Sequence, residues 1–319
     1  MDRYMLFVLL VVVFIVGAVL SPTFLKRNNI QNVLLNISVY GLLAIGQTAV
    51  LLVKEIDLSC GALVAFAPMS AIYVTNSFFP LIQGGNFVAR GTAFIIIFTL
   101  LIGTAVGAIN GLVRTRLKIS SLIATLGSMY IIGGFTYMFF NGHSLYLTGL
   151  PLFANFSMTK ILNLPLPFLF FVLVSLLVAF LFTKTKIGRR IYATGGNEKA
   201  AVYSGISTAR WKFIAFCFSG FCAGLAALIY CSRMQAVEVV QGSGYEMVAI
   251  AIAVIGGTTL EGGRGTILGT FIASGILCFI LNIMSLKGLI SWYQTVVIGI
   301  IIVGAALQHS YTNRKTSMR

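Results

Sequence analysis

Charge is scarce in this sequence: Asp, Glu, Lys and Arg make up 9% of its 319 residues, and only seven residues are acidic. Soluble domains carry roughly 25% charged residues, so a water-facing globular surface of this length is excluded. Histidine is scarcer still. The two histidines, His143 and His309, lie far apart and in opposite predicted water phases, which leaves no His-based metal or catalytic pair. The five cysteines, Cys60, Cys217, Cys222, Cys231 and Cys278, stand singly in or beside apolar stretches with no CxxC pair. They read as small buried apolar residues. No GxxxxGK[ST] loop occurs, so the backbone cradle and lysine that hold a nucleotide phosphate are missing. Hydrolysis by this chain is not expected, and no cofactor or metal is assigned to it.

What is abundant is hydrocarbon, at 58% apolar residues. About 20 apolar residues cross a hydrocarbon core about 30 Å thick. Long apolar runs predict helices near 4–22, 33–53, 60–79, 91–113, 120–140, 164–183, 212–231, 245–257, 266–286 and 289–308, the eighth visibly short. Met1-Asp2-Arg3-Tyr4 before the apolar run Met5–Leu20 has the outline of a leader, but no small-residue cleavage site precedes Pro22, and the run is taken as the first span. The expected fold is an all-α polytopic integral membrane protein of about ten transmembrane helices, with residues 1–319 as one transmembrane domain.

The net charge of +15 would suggest nucleic acid in a soluble protein, but here it reports topology. With both termini cytoplasmic, the inner segments hold sixteen basic residues, and the outer ones six: Lys26, Arg27, Arg90, Lys160, Arg233 and Lys287. The positive-inside rule favours that orientation and an even number of crossings.

Glu55, Asp57, Glu238, Glu246 and Glu261 all fall at or near predicted span ends. A mid-membrane carboxylate is the usual mark of proton or sodium coupling. Its absence points to energy supplied by a partner. Uncharged polar groups inside spans include Gln47, Asn110, Ser121 and Thr125. They suit a pathway for a neutral, hydroxyl-rich solute, and equally suit hydrogen bonds between helices.

The inner connection, about 184–211, carries seven of the sixteen inner basic residues. Within it Gly195 and Gly196 break the preceding element, Asn197 is a good N-cap, Glu198 suits the positive end of a helix dipole, and Gly205 is placed to end the helix. A two-turn helix is marginal in water and has to dock on something. Ala200, Ala201, Tyr203 and Ile206 offer a small contact surface; spacing alone equally allows a loop helix on the membrane surface. In the glycine-rich stretch Gly256–Thr266, irregular backbone between two spans is the favoured reading, and Gly265 and Gly269 allow close helix approach. Gly103, Gly107 and Gly111 repeat that spacing in the fourth span, as do Gly220 and Gly224 in the seventh. Asp57 and Glu261, each four residues before a glycine, read either as anchors that cap a helix start or pair with Lys54 or Arg264, or as solvated loop charges.

The run Gly195-Gly196-Asn197 with Ala200, Ala201 and Ser204-Gly205-Ile206 resembles the cytoplasmic coupling segment of ribose-type ATP-binding-cassette importer permeases, the sugar branch of a family shared with branched-chain amino-acid permeases. Glu55-Ile56-Asp57-Leu58-Ser59-Cys60-Gly61 resembles that family's GIDLSVG segment, and Gly256 to Thr266 its GGTxxxGGxGT segment, so the likeness extends from about Asn29 to Leu307. Here Glu55 stands in place of a glycine, with Lys54 before it, and Cys60 stands where valine is usual.

The resemblance implies a transport subunit of the bacterial inner membrane that pairs with a second permease, identical or related. It implies two ATPase subunits that hold ATP and Mg, and an extracytoplasmic solute-binding protein. Gly195, Gly196, Asn197, Glu198, Ala200, Ala201, Ser204 and Gly205 would couple to the ATPase; Asp57, Ser59, Gly61, Gly257, Gly262, Gly263 and Gly265 belong to the motif loops. The implied cargo is a monosaccharide. A branched-chain amino acid, a nucleoside or a furanone signal stay open, as does a self-contained channel or ion-coupled carrier.

Overall fold

An α-helix apolar on every side is a core element, and α2 (Arg27–Leu52) is one: from Ile37 to Val53 every residue but Tyr40 is buried. In the computed structural model, which describes residues 3–78, 85–147 and 151–317, nine other long helices accompany it, four packed against it and five mainly against other helices. They are α1 (Arg3–Leu20), α3 (Cys60–Phe78), α4 (Gly85–Arg116), α5 (Ser121–Phe140), α7 (Leu166–Lys184), α10 (Thr208–Met234), α11 (Tyr245–Ile255), α12 (Ile267–Leu286) and α13 (Ser291–Ser317). Each coincides with one of the ten apolar runs. Six of them are long and apolar enough to cross a membrane, and α1, α3, α11 and α13 carry shorter apolar stretches. Phe79 and residues 148–150, within two of the predicted segments, lie outside the described residues, as do the side chains of Arg90, His309, Arg314 and Lys315.

Among the described residues α4 and α10 pack along the most extensive helix–helix contact, and its cause is glycine. A Cβ on Gly103 would sit 2.4 Å from the Gly220 carbonyl oxygen, one on Gly107 2.3 Å from that of Phe216, and one on Gly220 2.1 Å from that of Gly103. The two small-residue stripes of the sequence therefore face each other, backbone against backbone.

The connections hold more structure than apolar runs reveal. The outer connection folds α6 (Pro151–Met158), and the inner one folds α8 (Lys186–Gly196) and α9 (Glu198–Tyr203). The purely helical expectation needs one correction: four two-residue strands form two ribbons. β1 (Leu145–Tyr146) pairs antiparallel with β4 (Ala236–Val237), and β2 (Lys160–Ile161) with β3 (Leu164–Pro165). The second ribbon turns on Leu162 and Asn163, both at positive φ, the geometry that matches strand twist in a two-residue hairpin. Asn163 accepts from Arg27, and Lys160 donates to Gln31, which ties this ribbon to the start of α2.

A second correction concerns depth. The chain between α2 and α3 does not remain at the bundle end. It turns at Val53 and Lys54 and runs back inward, so that Asp57 reaches Ser219, seven residues or about 10 Å along α10 from Lys212 at the bundle end. Glu246 is buried in the first turn of α11 and meets the first turn of α3, where a Cβ on Gly61 would fall 2.1 Å from its Oε2. Asp57 thus lies inside the bundle, where irregular backbone is tolerated because protein surrounds it, and Glu246, at a helix start as expected, is buried among helices.

Candidate coupling site and the polar core behind it

α8 begins where Thr185 Oγ1 accepts from the Ile187 amide at 3.1 Å and buries one face, Gly188, Ile191, Thr194 and Gly195. Gly195 and Gly196 are its last two residues, so the helix ends at the glycine pair as expected. Gly195 is there for contact: a Cβ at that position would lie 1.8 Å from the Leu52 carbonyl oxygen and 2.7 Å from the Gly263 amide nitrogen. Gly263 N donates to that same Leu52 oxygen at 2.9 Å, and Tyr192 Oη donates to the Gly265 oxygen at 2.8 Å. The end of α2, the end of α8 and the glycine loop 256–265 converge at one junction. Four of the loop's glycines, Gly257, Gly262, Gly263 and Gly265, hold positive φ, which side chains resist. Thr266 caps α12 by accepting from the Gly269 amide, while Glu261 lies exposed on the preceding turn.

Asn197 then caps α9: its Oδ1 accepts from the Ala200 amide at 3.0 Å. The helix closes in a Schellman arrangement, with Ile206 N donating to Ala201 O, Gly205 N to Val202 O, and Gly205 at φ +77°. Ala201 faces inward and is buried, so it is not part of the outer surface. Val202 and Tyr203 are the apolar side chains presented outward, Tyr203 at 89% exposure, next to Ala200, Ser204 and Gly205. Val202 escaped the sequence reading; only the register of the cap, which sets which face turns out, could have marked it.

α9 is strapped to the bundle by charge. Lys212 Nζ, on the first turns of α10, lies 2.9 Å from Glu198 Oε2 and 3.0 Å from Glu55 Oε1, and Arg114 Nε at the end of α4 donates to the same Glu55 oxygen at 2.8 Å. Glu55 and Lys212 are both buried. Two carboxylates and two cations balance, which is what a desolvated ionic cluster requires. Partial burial pushes the Glu198 carboxyl up, but the hydrogen bond and charge of Lys212 outweigh it, and the group is held below its ordinary value. Its contribution to stability is therefore complete above the ordinary carboxylate range and is lost as pH falls through the lowered value, discounted because Glu198 is half exposed. The residues that depart from the family motif have local roles. Glu55 joins α4 to α10, and Lys54, at φ +64°, fills the left-handed position that closes α2.

Behind this cluster Asp57 is fully buried. It accepts from the Ser59 amide at 2.9 Å, the Ser59 hydroxyl at 2.7 Å and the Ser219 hydroxyl at 2.7 Å. Neither Lys54 nor Arg264 pairs with it; it holds the turn into α3. Ser59 Oγ in turn accepts from Asn110 Nδ2 at 2.9 Å, and Asn110 Oδ1 accepts from Ser128. Ser121 Oγ accepts from the Ile56 amide and Thr125 Oγ1 donates to the Ile56 oxygen. Of the four residues expected to line a pathway, Asn110 and Ser121 thus bond the 55–59 segment, while the Thr125 hydroxyl donates chiefly to Ser121 O at 2.8 Å within its own helix. Gln47 is fully buried with no partner among the described residues. Replacing Asp57 by alanine, which strands the Ser59 and Ser219 donors, is expected to destabilise by about 2 kcal/mol, while asparagine keeps an acceptor and most of the stability. Equal melting temperatures for the two variants in detergent would discard this anchoring role.

No group of three or more His, Cys, Asp or Glu able to hold a metal occurs among the described residues. The family described as the permease component of the branched-chain amino acid transport system matches residues 29–306. The chain is 33% identical over 312 residues to the ribose import permease protein of Haemophilus influenzae, covering 97% of this chain and 93% of that one. It is 38% identical over 305 residues to the ribose import permease protein of Bacillus subtilis, covering 95% and 89%. It is 35% identical over 309 residues to the D-allose transport system permease protein of Escherichia coli, covering 95% and 90%. No solved structure matches. The converging motif loops, the capped inner helix and these full-length likenesses lead to one conclusion: the chain is a multi-pass membrane protein and belongs to this family of transport-system permease components, alongside sugar import permeases.

Proposed function

We propose that the chain is the membrane-spanning subunit of a bacterial ATP-binding-cassette importer for a monosaccharide, with ten crossings and both termini cytoplasmic. Two ATPase subunits, carrying ATP and Mg, drive alternating access; a second permease subunit completes the pathway; an extracytoplasmic binding protein delivers the sugar. Topology is supported by the sorting of contacts. Segments expected inside, around Leu52, Glu55, Arg114, Gly195, Lys212 and Gly263, bond to one another, and segments expected outside, around Arg27, Gln31, Lys160, Asn163 and Asn36 with Arg233, do likewise.

The observation that carries the reading is α9, a six-residue helix capped at both ends, with Val202 and Tyr203 turned outward and its root tied to two transmembrane helices. An ATPase cleft closing on Val202 and Tyr203 pulls on Glu198 and Lys212, and Glu55 passes that displacement to α4 and to the turn holding Asp57. Cargo is read from the ribose and D-allose permeases. The family description favours a second cargo, a branched-chain amino acid, under the same mechanism.

Co-expression with the ATPase subunit and pull-down from detergent extracts tests the coupling role. The wild type is expected to retain the ATPase, and Tyr203→Asp and Val202→Asp to lose it by about tenfold or more, the effect of a charge at the buried centre of an interface. Retention by both variants removes α9 as the docking helix. ATP-driven vesicle uptake of ribose or D-allose against leucine then assigns the cargo.

A further inference from the structure

At the end of the bundle remote from α9, a recess of about 160 Å³ lies between α2, α12 and α13. Its polar lining is Asn36, Tyr40, Asn282, Ser285 and Gln294, and Cys278 and Leu281 supply the rest. Arg233, which bonds Asn36, is twenty-one residues beyond Lys212 on the continuous helix α10, a rise of about 31 Å, close to the thickness of a hydrocarbon core. The recess therefore sits near the mouth opposite the coupling helix.

Its walls are braced from behind. Arg233 Nη1 donates to Asn36 Oδ1 at 2.6 Å, so the guanidinium is engaged on the amide. Asn29 and Asn282 exchange amide hydrogen bonds at 2.9 and 2.8 Å. The Tyr40 ring meets the Tyr245 ring edge-on at 4.8 Å, and Gln241 Nε2 donates to Tyr245 Oη at 2.8 Å. Side chains held this way present fixed donors and acceptors to whatever enters. The Gln294 carboxamide, half-buried, and the Ser285 hydroxyl, exposed at the rim, make no side-chain hydrogen bond to another described residue, so both are available to a ligand.

The chemistry of this lining is selective. It offers carboxamides, hydroxyls and one aromatic ring, with no carboxylate or ammonium. A zwitterionic amino acid entering it would desolvate two charges without a counter-ion, which costs several kcal/mol. A ring polyol brings only neutral donors and acceptors plus C–H edges that fit against Tyr40. The volume corresponds to about five waters, the scale of one small sugar ring and too small for a disaccharide.

We propose that this recess is a monosaccharide-recognition site within the permease itself, so that the membrane subunit selects its cargo in addition to any delivering protein. The proposal rests on the importer reading above. Its test is equilibrium binding of radiolabelled ribose at millimolar concentration to the full-length chain in lipid nanodiscs, without ATPase or binding protein. Saturable binding is expected, displaced by D-allose and not by leucine. Gln294→Leu is expected to weaken it about tenfold, the loss of one good hydrogen bond to a neutral ligand, and Ser285→Phe, which fills the recess, to abolish it. Unchanged melting temperatures for both variants show that the fold is kept. Absence of saturable binding of ribose and D-allose, or equal affinity in both variants and wild type, overturns the site. If the complete transporter still takes up either sugar with ATP, the importer reading stands without it; if it takes up leucine and neither sugar, the cargo reading falls as well.

Discussion

Replacing Lys212 by methionine is expected to produce one of the two largest losses in this protein, about 3 kcal/mol of stability together with most ATP-driven uptake. The side chain is buried and is bonded to two carboxylates on separate segments, Glu55 and Glu198. Removing it leaves Glu55 in the interior with Arg114 alone, and breaking a buried ion pair by deleting one partner costs about 3–5 kcal/mol. The lower end applies because Arg114 remains. Adding Glu55→Gln to Lys212→Met removes the stranded charge, and the double variant is expected to regain part of the stability but not the uptake. A double-mutant cycle on melting and on uptake per ATP hydrolysed separates the two effects. If the double variant is no more stable than the single, the cluster is not an electrostatic unit. If uptake recovers along with stability, it does not transmit force.

Adding one methyl group at Gly195 is expected to be as damaging. The atoms that a Cβ would strike, the Leu52 oxygen and the Gly263 nitrogen, are backbone, and they are hydrogen-bonded to each other. Relief requires α8 to separate from α2 and that bond to break, at about 3 kcal/mol or more for an overpacked contact without a flexible neighbour. The next residue is the control. A Cβ at Gly196 meets only Gly263 Cα, at 3.9 Å, and alanine there raises helix propensity by up to about 1 kcal/mol. Gly195→Ala is expected to leave little folded protein in the membrane and Gly196→Ala a normal amount, measured as the monodisperse yield after solubilisation. Similar yields would show that the three-way junction is not rigid.

The parts that were legible in the sequence are those whose cause is local. Apolar runs mark ten of the helices, six of them long and apolar enough to cross a membrane, because hydrocarbon-spanning length is encoded in consecutive residues. Asn197 and Gly205 mark the ends of α9, because caps act over three or four residues. The glycine stripes of α4 and α10 were visible singly, and only their meeting needed the structure. What escaped depends on partners far away in the chain. Asp57 read equally as a loop anchor or a solvated charge, because Ser219, which lets it sit at depth, is 162 residues distant. Glu55 looked like stray charge in a bare motif, because Arg114 and Lys212, 59 and 157 residues on, come from other helices. Gly195 and Gly196 marked the end of α8, but nothing local shows that Gly195 also seats against Leu52, far back in the chain. The recess between α2, α12 and α13 has no sequence signature, since its polar residues are dispersed among apolar ones on three helices.

The seat of α4 on α10 has a mechanical corollary. Where carbonyl meets glycine with no side-chain layer between, there is nothing to shear, and α4 and α10 travel as one stiff beam. On the importer reading, a stroke entering through Lys212 would meet no sliding layer within that beam and would be carried toward its far end, where Arg233 grips the amide of Asn36.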